Sequence, residues 1–237
     1  MYFNTFVLGS LFYISLYFVF NFININFNFI KNKYINNITF KYRTYSLSRQ
    51  LYISSNIIKS IFLFGLAVNY IYLLYKNNTL FLNWNEEEVS VKKSVIIYMI
   101  PDFWSMLITN STIMMTTVFH HICVTIATIF ILFSNLNEQG IHIAFILYGL
   151  LSSYTFLVNT FLGLRFMKKF SQTEINFINY NYILVCIFNW SWQIYNLFTL
   201  NCIYWQKLIL VSLLCFWIND DIILIKFLNK FKYIKDI

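Results

Sequence analysis

The chain has 237 residues, a net charge of +8, 59% hydrophobic residues, 22% aromatics and only 11% charged residues. A soluble domain carries about 25% charged residues, so this chain has too little polar surface to coat a water-soluble enzyme, and it is too hydrophobic for disorder. Cys123, Cys186, Cys202 and Cys215 contain no C-x-x-C pair, which excludes a disulfide scaffold.

What remains is an all-α polytopic membrane bundle. Apolar runs of roughly 17 to 25 residues read as membrane helices. Seven occur, at about 3–20, 51–75, 94–109, 112–133, 142–165, 177–200 and 204–221, with six as the other count. The first has no Lys or Arg before it and no small-residue cleavage site after it, so it reads as a retained anchor. Residues 1–39 form this anchor and an Asn-rich connector, and 40–237 form the transmembrane domain. Asn, Ile, Phe, Tyr and Lys all have AT-rich codons, so single Asn residues carry little weight.

The loops alternate sides. Lys31, Lys33, Lys41, Arg43, Arg49, Arg165, Lys168, Lys169, Lys226, Lys230, Lys232 and Lys235 fall on one side. Lys76, Lys92, Lys93 and Lys207 fall on the other, with the acidic run Glu86-Glu87-Glu88. Twelve basic residues against four place the first set in the cytosol, with the C-terminus. The +8 therefore marks a cytosolic face rather than a nucleic-acid partner. Sequons stand at Asn37, Asn77 and Asn110, and only Asn77 falls on the lumenal side. The 222–237 tail reads as an interfacial helix on anionic lipid or as a basic anchor for the last span.

Polar side chains in lipid turn toward protein or water-filled cavities, so their spacing marks the inward face. Ser94, Tyr98, Asp102, Ser105 and Thr109 share one face of the third span. Thr117, His121, Thr125 and Thr128 do so in the fourth, with His120 alongside. Tyr148, Ser152, Thr155 and Asn159 follow in the fifth, and Tyr182, Cys186, Asn189, Gln193 and Asn196 in the sixth. Hydrogen bonds that glue helices together explain the hydroxyls and amides. They explain Asp102 and two adjacent His poorly.

Asp102, His120, His121 and Lys59 all fall roughly 10–14 Å below the cytosolic surface at the helical rise per residue. The third and fourth spans form a hairpin, so Asp102 can reach one imidazole, and Pro101 removes a backbone donor beside it. An ionised Asp in hydrocarbon needs a partner, and Lys59 or a protonated His is the natural one. Histidine can serve as base, acid, nucleophile or metal ligand. An Asp–His pair can also simply fasten the hairpin. A metal is not expected, because adjacent His side chains diverge on a helix. The cysteines read as inert buried thiols. His142 reads as interfacial, and Trp190, Trp192 and Trp205 as packing or belt residues. Asp220 and Asp221 are read as the cytosolic end of the last span, or as a second acidic site if embedded.

Between Tyr98 and Phe166 the chain resembles the TLC-domain family, which includes ceramide synthases, translocating-chain-associating membrane proteins and small lipid-regulatory members. The residues behind the resemblance are Y-x-x-x-D at Tyr98 and Asp102, His120-His121 in mid-helix, and Thr160-Phe-Leu-Gly-Leu-Arg-Phe166 closing the fifth span. Ser48-Arg49 and Phe216-Trp217 fit more loosely. The Glu and Pro of the small members are absent from the fifth span, and Ser55 stands where a His is often seen. After His120-His121 the chain reads Ile-Cys-Val-Thr, with no Asp until Asp220, so the acidic H-D-x-x-D segment of ceramide synthases is missing. The resemblance is thus nearer the small members than true ceramide synthases. It implies a TLC-like fold and a role in lipid metabolism or homeostasis, in the endoplasmic reticulum or another endomembrane, with membrane lipids as partners. For an enzyme it implies N-acyl transfer from acyl-CoA to a sphingoid base, acyl-CoA being substrate and no cofactor being needed. His121 and His120 with Asp102 would then be catalytic, and Tyr98, Lys59, Thr155 and Asn159 would line the substrate site. A non-catalytic lipid-binding regulator is the alternative, and a small transporter a third reading, against which no internal repeat is found.

Overall fold

The computed structural model describes residues 1–26, 42–77, 84–108, 115–138 and 140–232. The sequons at Asn37 and Asn110, the Asn-rich connector beyond residue 26, Thr109, and the lysines at 31, 33, 41 and 235 lie outside the described residues. The described residues form eight α-helices of nine residues or more, a short helical stretch at 42–44 and no strand. The eight are α1 (Tyr2–Asn26), α2 (Leu47–Asn77), α3 (Trp84–Ile108), α4 (Met115–Phe133), α5 (Ile141–Ser152), α6 (Phe156–Leu164), α7 (Gln172–Thr199) and α8 (Tyr204–Lys232). A single 3-10 turn, Ser153–Thr155, joins α5 to α6, so the two form one rod with a step in it.

Four stretches are long and apolar enough to cross a membrane by length and composition: Tyr2–Phe22, Leu47–Lys76, Ile141–Leu164 and Tyr204–Phe231. Thr117–Phe133 is a shorter apolar helix. The distribution of side chains is inverted relative to a water-soluble fold. Phe3, Phe18, Phe64, Phe177 and Phe188 are each more than half exposed, whereas Asp102, Ser153 and Gln193 are completely buried. A skin of aromatic and aliphatic groups around a polar interior matches a hydrocarbon surrounding.

The rods pack around α2. It contacts α1, α3, α5 and, most extensively, α6. α3 and α4 are neighbours, as the hairpin expectation required, and α7 packs between the α5–α6 rod and α8. The α2–α6 approach is close because Gly163 lacks a side chain. A Cβ there would stand 2.6 Å from Ile57 Cγ1 and 3.1 Å from the Ile53 carbonyl oxygen. The carbonyl cannot move without its helix. Gly163→Val is therefore expected to destabilise the bundle by about 1–3 kcal/mol through overpacking, read as a lowered unfolding temperature in detergent.

Several expectations need correction. α3 starts ten residues earlier than the apolar run beginning at 94, because the Glu86-Glu87-Glu88 run is its first turn and not a loop. Carboxylates there suit the positive end of the helix dipole. Glu87 and Glu88 also find cations, with Lys76 Nζ at 2.7 Å from Glu87 and Lys92 Nζ at 2.6 Å from Glu88. Lys92 is buried and donates to the Ser134 carbonyl at 2.8 Å. His142, in the first turn of α5, is buried against protein at 5% exposure. The last helix does not stop at Asp220 and Asp221 but runs on to Lys232. Over 222–232 it is neither a lipid-surface helix nor a frayed anchor, since Leu228 packs with Phe161, Ile175 and Ile178, and Asn229 accepts from Asn179 at 2.9 Å.

The turn between α6 and α7 is set by a capping box. Ser171 Oγ accepts from the Glu174 N–H at 3.2 Å, and the Glu174 carboxylate accepts from the Ser171 N–H at 2.7 Å. The Lys168 ammonium donates to the same carboxylate at 2.9 Å. The bond from Lys168 and those from Ser171 hold the Glu174 carboxyl down from 4.5 to about 2. A depressed folded-state value contributes stability that is fully present above about pH 4.5 and lost as pH falls toward about 2. Amide exchange in the first turn of α7 should accelerate across that window, and Glu174→Gln should remove the pH dependence.

A polar cavity inside the bundle

Lys59 lies on α2, Asp102 on α3 and the histidine pair on α4, three helices that meet through the α2–α3 and α3–α4 contacts. Asp102 is completely buried. Its Oδ1 takes an ion pair from Lys59 Nζ and lies 3.2 Å from His121 Nδ1. The other ring nitrogen, His121 Nε2, lies 3.4 Å from Ser105 Oγ. The two histidines diverge, as neighbours on a helix must. Their ring planes are 79° apart, and His120 Nδ1 faces Asp220 Oδ2 of α8 at 3.8 Å. Each imidazole thus has its own carboxylate, supplied by a different helix.

Asp102 does not reach open space. It sits behind a cavity of about 640 Å³ whose wall includes Lys59, Ser105, His120, His121, Asp220 and Asp221. The expected substrate-site residues Tyr98, Thr155 and Asn159 line the same cavity, as do Arg165, Lys226 and Lys230. The sequence-predicted residues are therefore brought together, with Asp102 one layer back. Thr155 Oγ1 donates to the Ser152 carbonyl at 2.7 Å, and Asn159 Nδ2 to the Thr155 carbonyl at 3.3 Å. These two side chains satisfy the backbone around the 3-10 step as well as facing the cavity.

The stripes behave as one interior. Ser94, Tyr98, Asp102 and Ser105 are buried on α3. Tyr182, Cys186, Asn189, Gln193 and Asn196 are buried on α7. Asn189 donates to Ser152 Oγ at 3.1 Å and Gln193 to the Ala144 carbonyl at 3.1 Å. For these amides the helix-gluing reading is the correct one.

Two contributors to the cavity, Arg165 and Ser105, are not marked as site residues by the sequence, and Asp221 is marked with Asp220 only on the condition that they are embedded. Asp221 accepts from Tyr182 OH and Trp190 Nε1, each at 2.8 Å, so Trp190 is a hydrogen-bond donor as well as a packing residue. Arg165 lies 4.6 Å from the Phe227 ring centroid and 4.7 Å from that of Phe166, a stacked cation held at the cavity wall. Ser105 was seen only as one member of a stripe. In the wall, the four cations Lys59, Arg165, Lys226 and Lys230 outnumber the two carboxylates Asp220 and Asp221. Among the described residues, no group of three or more His, Cys, Asp or Glu side chains is placed to hold a metal ion.

Comparison with protein-family models, with curated proteins and with solved structures finds no match.

Proposed function

We propose that this chain is a TLC-like multi-pass protein of the endoplasmic reticulum or another endomembrane that acts in lipid metabolism by N-acyl transfer from acyl-CoA to a sphingoid base. Its seven rods, with α5 and α6 counted as one, would each cross the membrane and leave the C-terminus in the cytosol. The observation that carries the reading is the Lys59–Asp102–His121 cluster, of which Lys59 and His121 line a cavity of about 640 Å³ between the helices and Asp102 lies behind them. A cavity of that size accommodates a lipid head group and the start of its chain.

In this reading His121 takes the proton from the amine as the amine nitrogen attacks the acyl carbonyl. Asp102 orients the ring and stabilises the imidazolium that forms. Arg165, Lys226 and Lys230 attract the phosphates of the CoA leaving group. Lys59 supports a second reading. Its ion pair already neutralises much of the Asp102 charge, which suits a static head-group pocket in a non-catalytic regulator of membrane composition.

One assay separates the two. Microsomes containing the protein are given sphingoid base and acyl-CoA, alongside His121→Ala and Asp102→Ala. N-acylation that is lost in both variants is the expected result. Product no higher than in control microsomes, with an altered phospholipid profile in cells, would favour the regulator.

A further inference from the structure

We infer that Ser105 is a nucleophile activated by a serine–histidine–aspartate relay inside the membrane bundle, and that it carries the acyl group as an ester between donor and acceptor. The inference deepens the acyl-transfer reading and rests on it for the identity of the acceptor. Three groups stand in the order the chemistry needs: Ser105 Oγ, 3.4 Å to His121 Nε2 in a hydrogen bond, and then His121 Nδ1, 3.2 Å to Asp102 Oδ1 in an ion-pair contact that a small turn of the ring would make a hydrogen bond. Such relays are recognised by geometry and roles, not by sequence order.

Local sequence makes the arrangement simple. Asp102 and Ser105 are three residues apart on α3 and so share a face. One imidazole from the neighbouring α4 bridges them. Burial is graded in the right sense. Asp102 is sealed off, whereas His121 and Ser105 both border the cavity. A nucleophile must meet substrate, and an orienting carboxylate must not. Ser105 Oγ also donates to the Asp102 carbonyl at 2.9 Å, a common way for a helical serine to satisfy itself. Rotation about the Cβ–Oγ bond swings the same proton from that carbonyl to Nε2. Nucleophile-to-base contacts are often loose before substrate binds and tighten with it.

The steps balance. Oγ attacks the thioester carbonyl carbon and its proton passes to His121 Nε2. The C–S bond breaks, the thiolate leaves, and the imidazolium returns the proton to it. An ester now joins the acyl group to Ser105. The acceptor amine attacks that ester, His121 takes the amine proton, and the proton returns to Oγ as the ester bond breaks. No oxidant, metal or further reactant is required.

The test uses the full chain in detergent and a long-chain alkyl fluorophosphonate, which phosphonylates activated serines, with the adduct located by peptide mass spectrometry. We expect an adduct on Ser105, absent in Ser105→Ala and formed about 100-fold or more slowly in His121→Gln, the effect of losing a positioned base. An unlabelled Ser105 in the wild-type chain, or an equal rate in His121→Gln, would overturn the relay. N-acylation that survives Ser105→Ala but not His121→Ala would also overturn it while leaving acyl transfer intact. A Ser105 adduct in a chain that fails to acylate sphingoid bases would uphold the relay and overturn only the proposed acceptor.

Discussion

Lys59→Met is expected to be the most destabilising single substitution in the bundle, at about 3–5 kcal/mol, the usual result of removing one partner of a buried ion pair. Asp102 is completely buried and Lys59 is its one lysine or arginine partner among the described residues. Without Lys59, the carboxylate faces only His121, and its Oδ2 has no hydrogen bond to lean on. Some of the loss is recovered if Asp102 takes up a proton, since a neutral carboxyl costs less to bury than a carboxylate. The double variant Lys59→Met/Asp102→Asn removes both charges and should restore most of the stability, because replacing a buried pair is far milder than breaking it. Thermal unfolding in detergent reads both. Equal unfolding temperatures for wild type and Lys59→Met would show that Asp102 does not depend on Lys59.

The same pair shows why much of the interior was legible. Polar groups in an apolar helix have to face inward, so periodicity identified Asp102, His121, Asn189 and Gln193 as interior residues, and each is buried. Lys59 was matched to Asp102 by depth, which a helical rise converts directly from residue number. Legibility failed where a helix end was inferred from charge. Asp220 and Asp221 interrupt an apolar run, which reads as a helix leaving the membrane or, if they are embedded, as a second acidic site; α8 runs on to Lys232 and both line the cavity, as the second alternative expects. Their carboxylates are served by His120, Tyr182 and Trp190 from other helices, partners that no local pattern in α8 reveals. The acidic start of α3 was misread as a loop for a related reason. Its charges are absorbed by Lys76 and Lys92, and helix continues where hydropathy stops. Ser105 was invisible as a functional group because hydroxyls are common on every stripe. Only the position of His121 Nε2 singles it out. The 3-10 step at Ser153–Thr155 has no Pro or Gly to announce it.

The two histidines are adjacent in sequence, yet their substitutions should differ by orders of magnitude. His121→Gln is expected to lower acyl transfer about 10³-fold or more, within the range for loss of a general base together with its orienting partner. Glutamine fills much of the same space but cannot accept and return a proton. His121 Nε2 meets Ser105 Oγ in a hydrogen bond, and its Nδ1 lies 3.2 Å from the completely buried Asp102 in an ion-pair contact without hydrogen-bond geometry. His120 has a longer contact, 3.8 Å to Asp220, and among the described residues neither of its ring nitrogens has a counterpart to the Ser105 bond of His121. Its carboxylate partner is about a third exposed, so the contact is solvent-screened and weak. His120→Gln should therefore change the rate by about tenfold or less, mainly through the shape of the cavity wall. Measured as single-turnover rates in the same microsomal preparation, equal losses in both variants would mean that the pair acts as one unit. The separate carboxylates on α3 and α8 would then have no mechanistic meaning. A loss confined to His121 assigns proton transfer to the side of the cavity where α3 meets α4.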